Sequence, residues 1–270
     1  MELPSQINPE KIAVSVIGGI GRNITYAISE IGSYINFVRY TIREAFRPPI
    51  RINLIFQHME FIGNQSLNII MMSGFFVGAV FGLQIGIVFK IFKAEGIMGA
   101  ATGKALAREL APMMTGFLLA GRAGSAMTAE IATMKVNEQV DAMEAMGVDP
   151  IHYLVVPRLI ASVLIVPILS GVFVFVGVLG AYAVGVLLFD VDQGAFFDKI
   201  NNVVEPKDVW SGLQKALIFA VIIATLACKF GLKAGGGAKG VGMATTNSVV
   251  VTFLTLLAFD FFITFIQIVF

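Results

Sequence analysis

The sequence is short of charge, cysteine and histidine. Only 14% of its 270 residues are charged and 57% are hydrophobic, whereas roughly a quarter of a typical soluble domain is charged. The single cysteine, Cys228, excludes an internal disulfide, and the two histidines lie far apart without metal-ligand spacing. A formal net charge of +1 leaves no basic face for nucleic acid. The composition therefore predicts an integral membrane protein.

Long apolar runs predict where the chain crosses the membrane. A helix needs about 20 apolar residues to cross the hydrocarbon. Three uncharged runs are that long, at Phe61–Phe89, Leu159–Phe189 and Gly240–Phe259. Two weaker runs, Ala105–Thr133 and Val209–Cys228, contain charges. Together they predict an all-α integral membrane protein with five transmembrane helices.

The distribution of lysine and arginine predicts the orientation. Three lysines and no acid lie between the fourth and fifth spans, whereas the loop DVDQGAFFDKINNVVEPKD after the third span holds five acids and two lysines. Lys90 and Lys93 fit less well, because they fall in a loop expected outside. The positive-inside rule still places the N-terminus in the cytoplasm and the C-terminus outside, since six basic residues precede the first span: Lys11, Arg22, Arg39, Arg43, Arg47 and Arg51.

An amphipathic helix is predicted ahead of the first span. Its arginines lie off the apolar stripe, and Pro48 and Pro49 end it. Such a helix is typical of the lipid headgroup layer, although packing on a partner protein is an alternative. We therefore expect an interfacial region at residues 1–49 and a five-span domain at 50–270. The stripe consists of Ile20, Ile24, Ile31, Ile35, Val38 and Ile42.

The stretch MKVNEQVDAMEAMGVDP, residues 134–150, predicts a short helix between the second and third spans. Three acids share one face: Glu138, Asp141 and Glu144. The opposite apolar face consists of Val136, Val140, Met143 and Met146. Methionine-rich faces adapt well to a partner groove, and a rim of one charge sign sets register. We expect the helix to dock a cytoplasmic protein. The alternative, a helix lying on the membrane, favours basic residues instead.

The stretch LLAGRAGSAMTAEIATMKV predicts close helix packing. Gly121, Ser125 and Ala129 follow one another at i, i+4 and i+8, a spacing that lets helix backbones approach in a bilayer. Arg122 and Glu130 project on a shared side of the same helix. We expect both charges to be paired structurally or to lie near the cytoplasmic interface. Contact with a substrate is the alternative.

Isolated charges in apolar segments are further candidates for function. Glu95, Lys215 and Asp260 are such charges, and something must offset their desolvation at membrane depth. Lys215 has no acid within one helical turn, so its partner is distant in sequence or is a ligand headgroup. The alternative is that these side chains lie near span ends and reach water.

The stretch KAGGGAKGVGMATT only superficially resembles a phosphate-binding loop. No serine or threonine follows Lys239 and Gly240, as that loop requires. We expect the chain to bind no ATP or other cofactor by itself.

The residues between Glu109 and Arg158 closely resemble those of the MlaE-type permeases. The resemblance rests on LARELAPMMTGFLLAGRAGSAMTAEIATMKVNEQVDAMEAMGVDPIHYLVVPRLIA, with GLQ upstream and GVGMATTNSVV and LAFDFF downstream. It covers about residues 61–270. These permeases are membrane subunits of ABC systems that move phospholipid between the two membranes of diderm bacteria.

The resemblance implies a homodimer in the bacterial inner membrane. Each subunit would have five spans after an interfacial helix and would contact a cytoplasmic ABC ATPase, which holds the ATP and magnesium. A small STAS-domain protein and a periplasmic ring of MCE-domain proteins would complete the assembly. The predicted helix within residues 134–150 falls where the family's coupling helix lies, so this chain is expected to be a non-catalytic permease.

The resemblance also implies a lipid cavity at the dimer interface, lined largely by the first and last spans. On the first span the lining residues would be Leu67, Met71, Phe75 and Gly78, with Glu95, Lys215 and Asp260 as polar elements. Asn247 stands where some relatives have an arginine, which puts a headgroup contact there in doubt. The main alternative is an ion-coupled secondary transporter of a lipophilic substrate, with Glu95, Lys215 and Asp260 as the relay.

Overall fold

The protein is all-helical over the residues that the structure describes. A computed structural model describes the backbone of residues 9–269, together with the side chains in that range except those of 9–24, 26, 27 and 95. This confirms the predicted all-α class. The α-helices are α1 (Pro9–Ala45), α2 (Ile52–Ile91), α3 (Met98–Ala105), α4 (Ala111–Leu119), α5 (Ser125–Val136), α6 (Gln139–Ala145), α7 (Val156–Phe189), α8 (Gln193–Val203), α9 (Pro206–Leu232) and α10 (Gly237–Val269).

Four helical segments within residues 9–269 are long and apolar enough to cross a membrane. They are Ile52–Ile91, Ile151–Phe189, Pro206–Leu232 and Gly237–Val269, and each contains one of the apolar runs found in the sequence. The remaining predicted crossing, Ala105–Thr133, lies in a helical stretch that runs from α3 through α5. Its arginines and glutamates make it less apolar than the other four, so the count of five spans stays a prediction.

Prolines explain two of the π-helical segments that interrupt the helices. The segment Leu106–Leu110 ends just before Pro112, and Ile151–Val155 ends just before Pro157. A proline has no N–H for the carbonyl four residues earlier, and its ring crowds that carbonyl. The preceding turn therefore widens, as π-bulges do. The first of these segments carries Glu109 and the second follows α6, so both lie beside candidate functional residues.

Glycines bring α2 and α7 into very close contact. A Cβ added to Gly78 would lie 1.9 Å from the carbonyl oxygen of Gly177, and one added to Gly180 would lie 2.1 Å from that of Phe75. Gly74 faces the Phe173 backbone in the same way, one turn from Gly78. No other residue fits where the two backbones touch. Gly78 belongs to this helix contact, and its expected place beside a cavity stays a prediction.

The candidate spans differ in how far the rest of the chain encloses them. In the most apolar 18-residue window of α9, 72% of the residues are buried, whereas in that of α10 only 11% are buried. Phe219 and Ile223 of α9 lie in the main hydrophobic core, while Phe261 and Phe265 of α10 are more than half exposed. α9 is therefore the central helix, whereas most of the surface of α10 is not covered by the rest of the chain.

Residues 30–45 of α1 pack across the ends of α7 and α9. The Tyr34 hydroxyl lies 2.7 Å from Thr225 Oγ1 of α9, and Glu30 pairs with Lys233 at 3.0 Å. The isoleucines of the predicted stripe face the other way, since Ile31 and Ile35 are each 59% exposed. The side chains of Ile20 and Ile24 lie outside the described residues. α1 ends at Ala45, shortly before the two prolines expected to end it.

The opposite end of α7 meets the short helix α8. The Asp192 carboxylate accepts a hydrogen bond of 2.9 Å from the Ala195 amide, which caps the start of α8. Phe196 of α8 is fully buried, and a Cβ added to Gly99 of α3 would lie within 3 Å of its ring. α8 and α6 therefore mark opposite ends of the molecule.

Candidate functional site

A buried lysine forms the centre of a charge cluster between three helical segments. Lys215 on α9 has 0% exposure and pairs with Glu109 of the π-helical segment. Its ammonium group also lies 3.5 Å from Asp260 Oδ1 on α10 and donates a 2.7 Å hydrogen bond to Thr264 Oγ1. The Thr264 hydroxyl donates in turn to the Asp260 carbonyl oxygen at 2.8 Å. α9, α10 and the π-helical segment are thus tied together at one point.

The charges of this cluster do not balance. Two carboxylates face one ammonium group, and Asp260 Oδ1 is buried without a hydrogen bond. Glu109 keeps 36% of its side chain exposed, whereas Lys215 has none. Lys215 can therefore exchange one carboxylate partner for the other. Removing the lysine alone would leave two partly buried acids without their partner.

Sequence reasoning identified Lys215 and Asp260 but did not pair them. It required the partner of Lys215 to be distant in sequence or a ligand headgroup, and both acidic partners are distant in sequence. Glu109 was noted only as a charge in a weak span, although an acid at membrane depth is itself a signal. Glu95 lies in the 3₁₀ turn Glu95–Ile97, and its side chain lies outside the described residues.

The other expected cavity residues lie on α2. Phe75 is 39% exposed, and Leu67 and Met71 are partly buried. They share the helix with Gly78 but not its buried face. The expected cavity lining therefore combines exposed apolar side chains of α2 and α10 with the Lys215 charge cluster.

The predicted acidic helix is present but shorter than expected. α6 spans Gln139–Ala145, because Glu138 adopts a left-handed conformation (φ 60°) that separates it from α5. Val136 is the last residue of α5 rather than part of α6. Gly147, with φ 75°, follows the C-terminal end of α6, where a left-handed residue commonly ends a helix.

The two faces of this segment differ in what they offer a partner. Val140 is only 2% exposed and Met143 is partly buried, so most of the predicted apolar face packs against the chain itself. Met146 is 72% exposed. The acids Glu138, Asp141 and Glu144 are exposed as well, and Asp141 pairs with Lys135. The accessible surface therefore includes three carboxylates and one methionine.

α1 holds the segment that follows α6. The Tyr40 hydroxyl donates a 2.7 Å hydrogen bond to Asp149 Oδ2, while Asp149 Oδ1 accepts one of 2.8 Å from the Ile151 amide. The hydrogen bond from Tyr40 to Asp149, reinforced by the negative charge of that carboxylate, raises the pKa of Tyr40 to about 12. One turn further along α1, Glu44 lies 3.7 Å from His152. A displacement of α6 would therefore strain these contacts with α1.

Arg122 and Glu130 are both paired, but not with each other. Arg122 donates to the Phe61 carbonyl oxygen at 2.9 Å and to Ser66 Oγ at 2.8 Å, both on α2. Glu130 lies 2.8 Å from Arg158, which is almost fully buried. Eight residues of helix separate the two charges by about 12 Å, too far for direct contact. Each therefore connects its helix to a different neighbour.

The expected small-residue stripe is not the packed one. Gly121 is exposed, and a Cβ added to it would meet only Phe253 Cζ at 3.8 Å. Ser125 and Ala129 are partly buried, and the Ser125 hydroxyl bonds to carbonyls of its own helix. The adjacent face carries the intrachain packing, since Gly124 faces Ile223 and Thr128 is fully buried.

Comparison with known proteins gives consistent matches over most of the chain. The family described as permease MlaE matches residues 55–266. A "Probable ABC transporter permease protein" of Rickettsia conorii is 39% identical over 250 residues, covering 93% of this chain and 96% of the relative. The "Intermembrane phospholipid transport system permease protein MlaE" of Haemophilus influenzae is 39% identical over 249 residues, covering 88% and 95%. A "Probable ABC transporter permease protein" of Synechocystis is 41% identical over 211 residues, covering 78% and 80%.

Proposed function

Because the chain belongs to the MlaE family of ABC transporter permeases, we propose that it moves phospholipid between the inner and outer membranes of a bacterium. The observation that carries this proposal is the match over residues 55–266, which includes both α6 and the Lys215 cluster. The Haemophilus relative bears the name of an intermembrane phospholipid transport permease. The chain itself is a non-catalytic permease, and a separate ATPase supplies the work.

The working unit is a homodimer with five spans per subunit. α10 is the candidate span least enclosed by its own chain, and its exposed phenylalanines favour further apolar contact. The fifth crossing is the helical stretch of α3 to α5, whose charges are tolerated because Arg122, Glu109 and Glu130 are all paired. The lipid cavity lies between the two copies, beside Leu67, Met71 and Phe75 of each α2 and beside each α10.

α6 is the contact for the ATPase, which binds ATP and magnesium. Its exposed carboxylates and Met146 give a charged rim and an adaptable apolar anchor. A STAS-domain protein accompanies the ATPase, and an MCE-domain ring receives lipid on the periplasmic side. This places the N-terminus and α6 in the cytoplasm, α8 and the C-terminus in the periplasm, and the exposed isoleucines of α1 in the headgroup layer.

The helical stretch from α3 to α5 transmits the movement of α6. At its cytoplasmic end α5 leads directly to α6, and further along it carries Glu109 of the Lys215 cluster. A displacement of α6 therefore changes the position of Glu109 relative to Lys215 and, through Thr264 and Asp260, the position of α10. Because α10 borders the cavity, hydrolysis on the ATPase changes the cavity's shape and releases lipid.

Charge reversal on α6 tests the ATPase contact. The triple variant Glu138→Lys, Asp141→Lys and Glu144→Lys should fold normally, because all three side chains are exposed, and it should lose the ATPase. The measurement is pull-down of the co-expressed ATPase with the tagged permease, together with lipid transfer between vesicles. Asp198→Lys, an exposed acid on α8 at the other end of the molecule, is the matched control and should retain the ATPase. Unchanged co-purification of the triple variant would refute the contact.

An ion-coupled secondary transporter is the second candidate, favoured by the unbalanced charges around Lys215. It predicts that the purified permease, without any ATPase, moves lipid in vesicles when a proton or sodium gradient is imposed. The ABC mechanism predicts no transport under those conditions and transport on addition of the ATPase and ATP. Gradient-driven transport would replace the main proposal.

A further inference from the structure

A lateral pocket lies between α7, α8 and α9, away from the charge cluster. Its volume is about 370 Å³. Its wall is formed by Val174 and Val178 of α7, Phe197 and Ile200 of α8, and Leu213 of α9. Apart from Ser170, these and the remaining lining side chains are apolar or absent, as at Gly171 and Gly212.

The pocket has about the length of one bilayer leaflet. Along α7 it extends from Ser170 to Leu179, a rise of about 13 Å. One leaflet of the hydrocarbon core is about 15 Å thick. The pocket begins near the middle of α7 and extends toward α8, away from α6. Its rim is exposed, since Phe175 is 68% exposed and Phe197 46%. It therefore opens sideways from helices long and apolar enough to cross a membrane.

Glycine at position 171 leaves part of this space open. A Cβ added to Gly171 would meet no atom within 4 Å, so the residue is not needed for helix packing within the chain. By contrast, a Cβ on Gly212 across the pocket would lie 1.9 Å from the Ala107 carbonyl oxygen. Gly212 lets two helices touch, whereas Gly171 faces the pocket.

Two partly exposed cations lie at the end of the pocket near the start of α9. Ala107 and Val209 line the pocket, and their chain neighbours Arg108 and Asp208 are paired at 3.5 Å. Lys104 lies 3.3 Å from the same carboxylate. The carboxylate of Glu205 accepts from the backbone in the capping box at the start of α9. Lys104 keeps 40% and Arg108 28% of its side chain exposed, so both cations can also contact a phosphate group.

We infer that this pocket is a lateral binding site for one acyl chain of a phospholipid in the outer leaflet of the surrounding bilayer, with the lipid phosphate at Arg108 and Lys104. An apolar cleft open to hydrocarbon fits an acyl chain, and cations at its headgroup end fit an anionic lipid. The site is separate from the proposed cavity at α2 and α10. It does not depend on transport, because its occupant comes from the bilayer that surrounds any membrane-spanning chain.

Photo-crosslinking in nanodiscs tests the site. The probe is phosphatidylglycerol with a diazirine in the middle of one acyl chain, titrated into phosphatidylcholine around the full-length protein and mapped by mass spectrometry of peptides. Labelling of α8 should saturate as the probe fraction rises, whereas labelling of the exposed Leu164 on α7, outside both the pocket and the proposed cavity, should rise in proportion to it. Proportional labelling at both positions would reduce the pocket to ordinary boundary lipid and overturn the inference.

Filling the pocket supplies the matched comparison. Gly171→Phe should abolish the saturable labelling of α8, because the new ring occupies the space of the acyl chain. Gly242→Phe on α10 is the control, since a Cβ there also meets no atom within 4 Å, and it should leave the labelling unchanged. Saturable labelling that persists in a well-folded Gly171→Phe protein would overturn the site. The wild-type titration decides the question independently if that variant does not fold.

Two further experiments test the phosphate contact and the identity of the occupant separately. Arg108→Gln should raise the fraction of phosphatidylglycerol probe at which the labelling of α8 is half-saturated, and an unchanged half-saturation would overturn the phosphate contact. Labelling is then repeated on the permease assembled with its co-encoded partners. Loss of labelling in the assembly would show that a partner's membrane helix fills the pocket and would overturn the lipid assignment, whereas retained labelling supports it.

Discussion

Two helix contacts in this chain are built in opposite ways. α2 and α7 touch backbone to backbone through Gly78 and Gly177, with no charged group between them. α9, α10 and the π-helical segment are instead held at one point by Lys215 and two acids. The glycine contacts hold α2 and α7 in one arrangement, because a shift of either helix would bring a larger side chain against the other backbone. Ion pairs can be exchanged, so the second contact is the one suited to move.

The difference assigns the two contacts different tasks. The α2–α7 contact behaves as a rigid frame, whereas the Lys215 cluster joins the stretch that leads to α6 to the loosely enclosed α10. Substitutions in the frame should therefore affect stability alone. A single substitution in the cluster should lower stability, because it leaves a charge unpaired. Removing all three charges together should impair transport and leave stability nearly unchanged.

The largest effect is expected from Lys215→Met. It leaves Glu109 and Asp260 without their cation, and breaking a buried ion pair in this way costs about 3–5 kcal/mol. Partial exposure of Glu109 places the cost at the lower end. Thermal unfolding of the purified protein in detergent measures the loss, and an unchanged melting temperature would contradict it.

A triple neutral variant sharpens this result. Lys215→Met combined with Glu109→Gln and Asp260→Asn should recover most of the stability, because no charge remains buried alone. Lipid transport driven by the ATPase should stay impaired, since the exchangeable pairs are gone. Full transport by a stable triple variant would show that the cluster is only structural.

Gly78→Leu is expected to have the next largest effect. The new side chain would meet the Gly177 carbonyl oxygen, which cannot move without shifting α7. Overpacking typically costs about 1–3 kcal/mol, and a backbone obstacle places this variant at the upper end. Gly242→Leu, at an open glycine of α10, is the control for adding leucine to a helix. Equal melting temperatures of the two variants would mean that α2 and α7 do not touch as described.

The sequence predicted much of the helical framework but not which faces meet. Apolar runs located α2, α7, α9 and α10, because hydrophobic length is a local property of the chain. The spacing of small residues is local too, yet it was present both at Gly78 and at Gly121, and only the first is packed within the chain. Periodicity states that a face can pack closely. It does not identify the neighbour.

The charge cluster shows the same limit. Lys215 and Glu109 are 106 residues apart, and no spacing rule connects residues on helices whose arrangement is unknown. The isolated lysine did indicate a distant partner. The acidic helix was predicted from its pattern, but the side of it that packs against the rest of the chain was not. The left-handed Glu138 between α5 and α6 turns Val140 inward and leaves the three acids exposed.

Gly121→Leu is expected to have the smallest effect on the fold. A Cβ there meets only the tip of Phe253, so the free energy of unfolding should change by no more than about 0.5 kcal/mol, as at other open positions. Any larger consequence must come from a second copy of the chain, because the exposed side of the stripe is free for it. Light scattering of the purified variant should therefore show less dimer with the helical circular dichroism of the wild-type protein. A destabilised fold would instead place Gly121 in a contact as tight as that of Gly78.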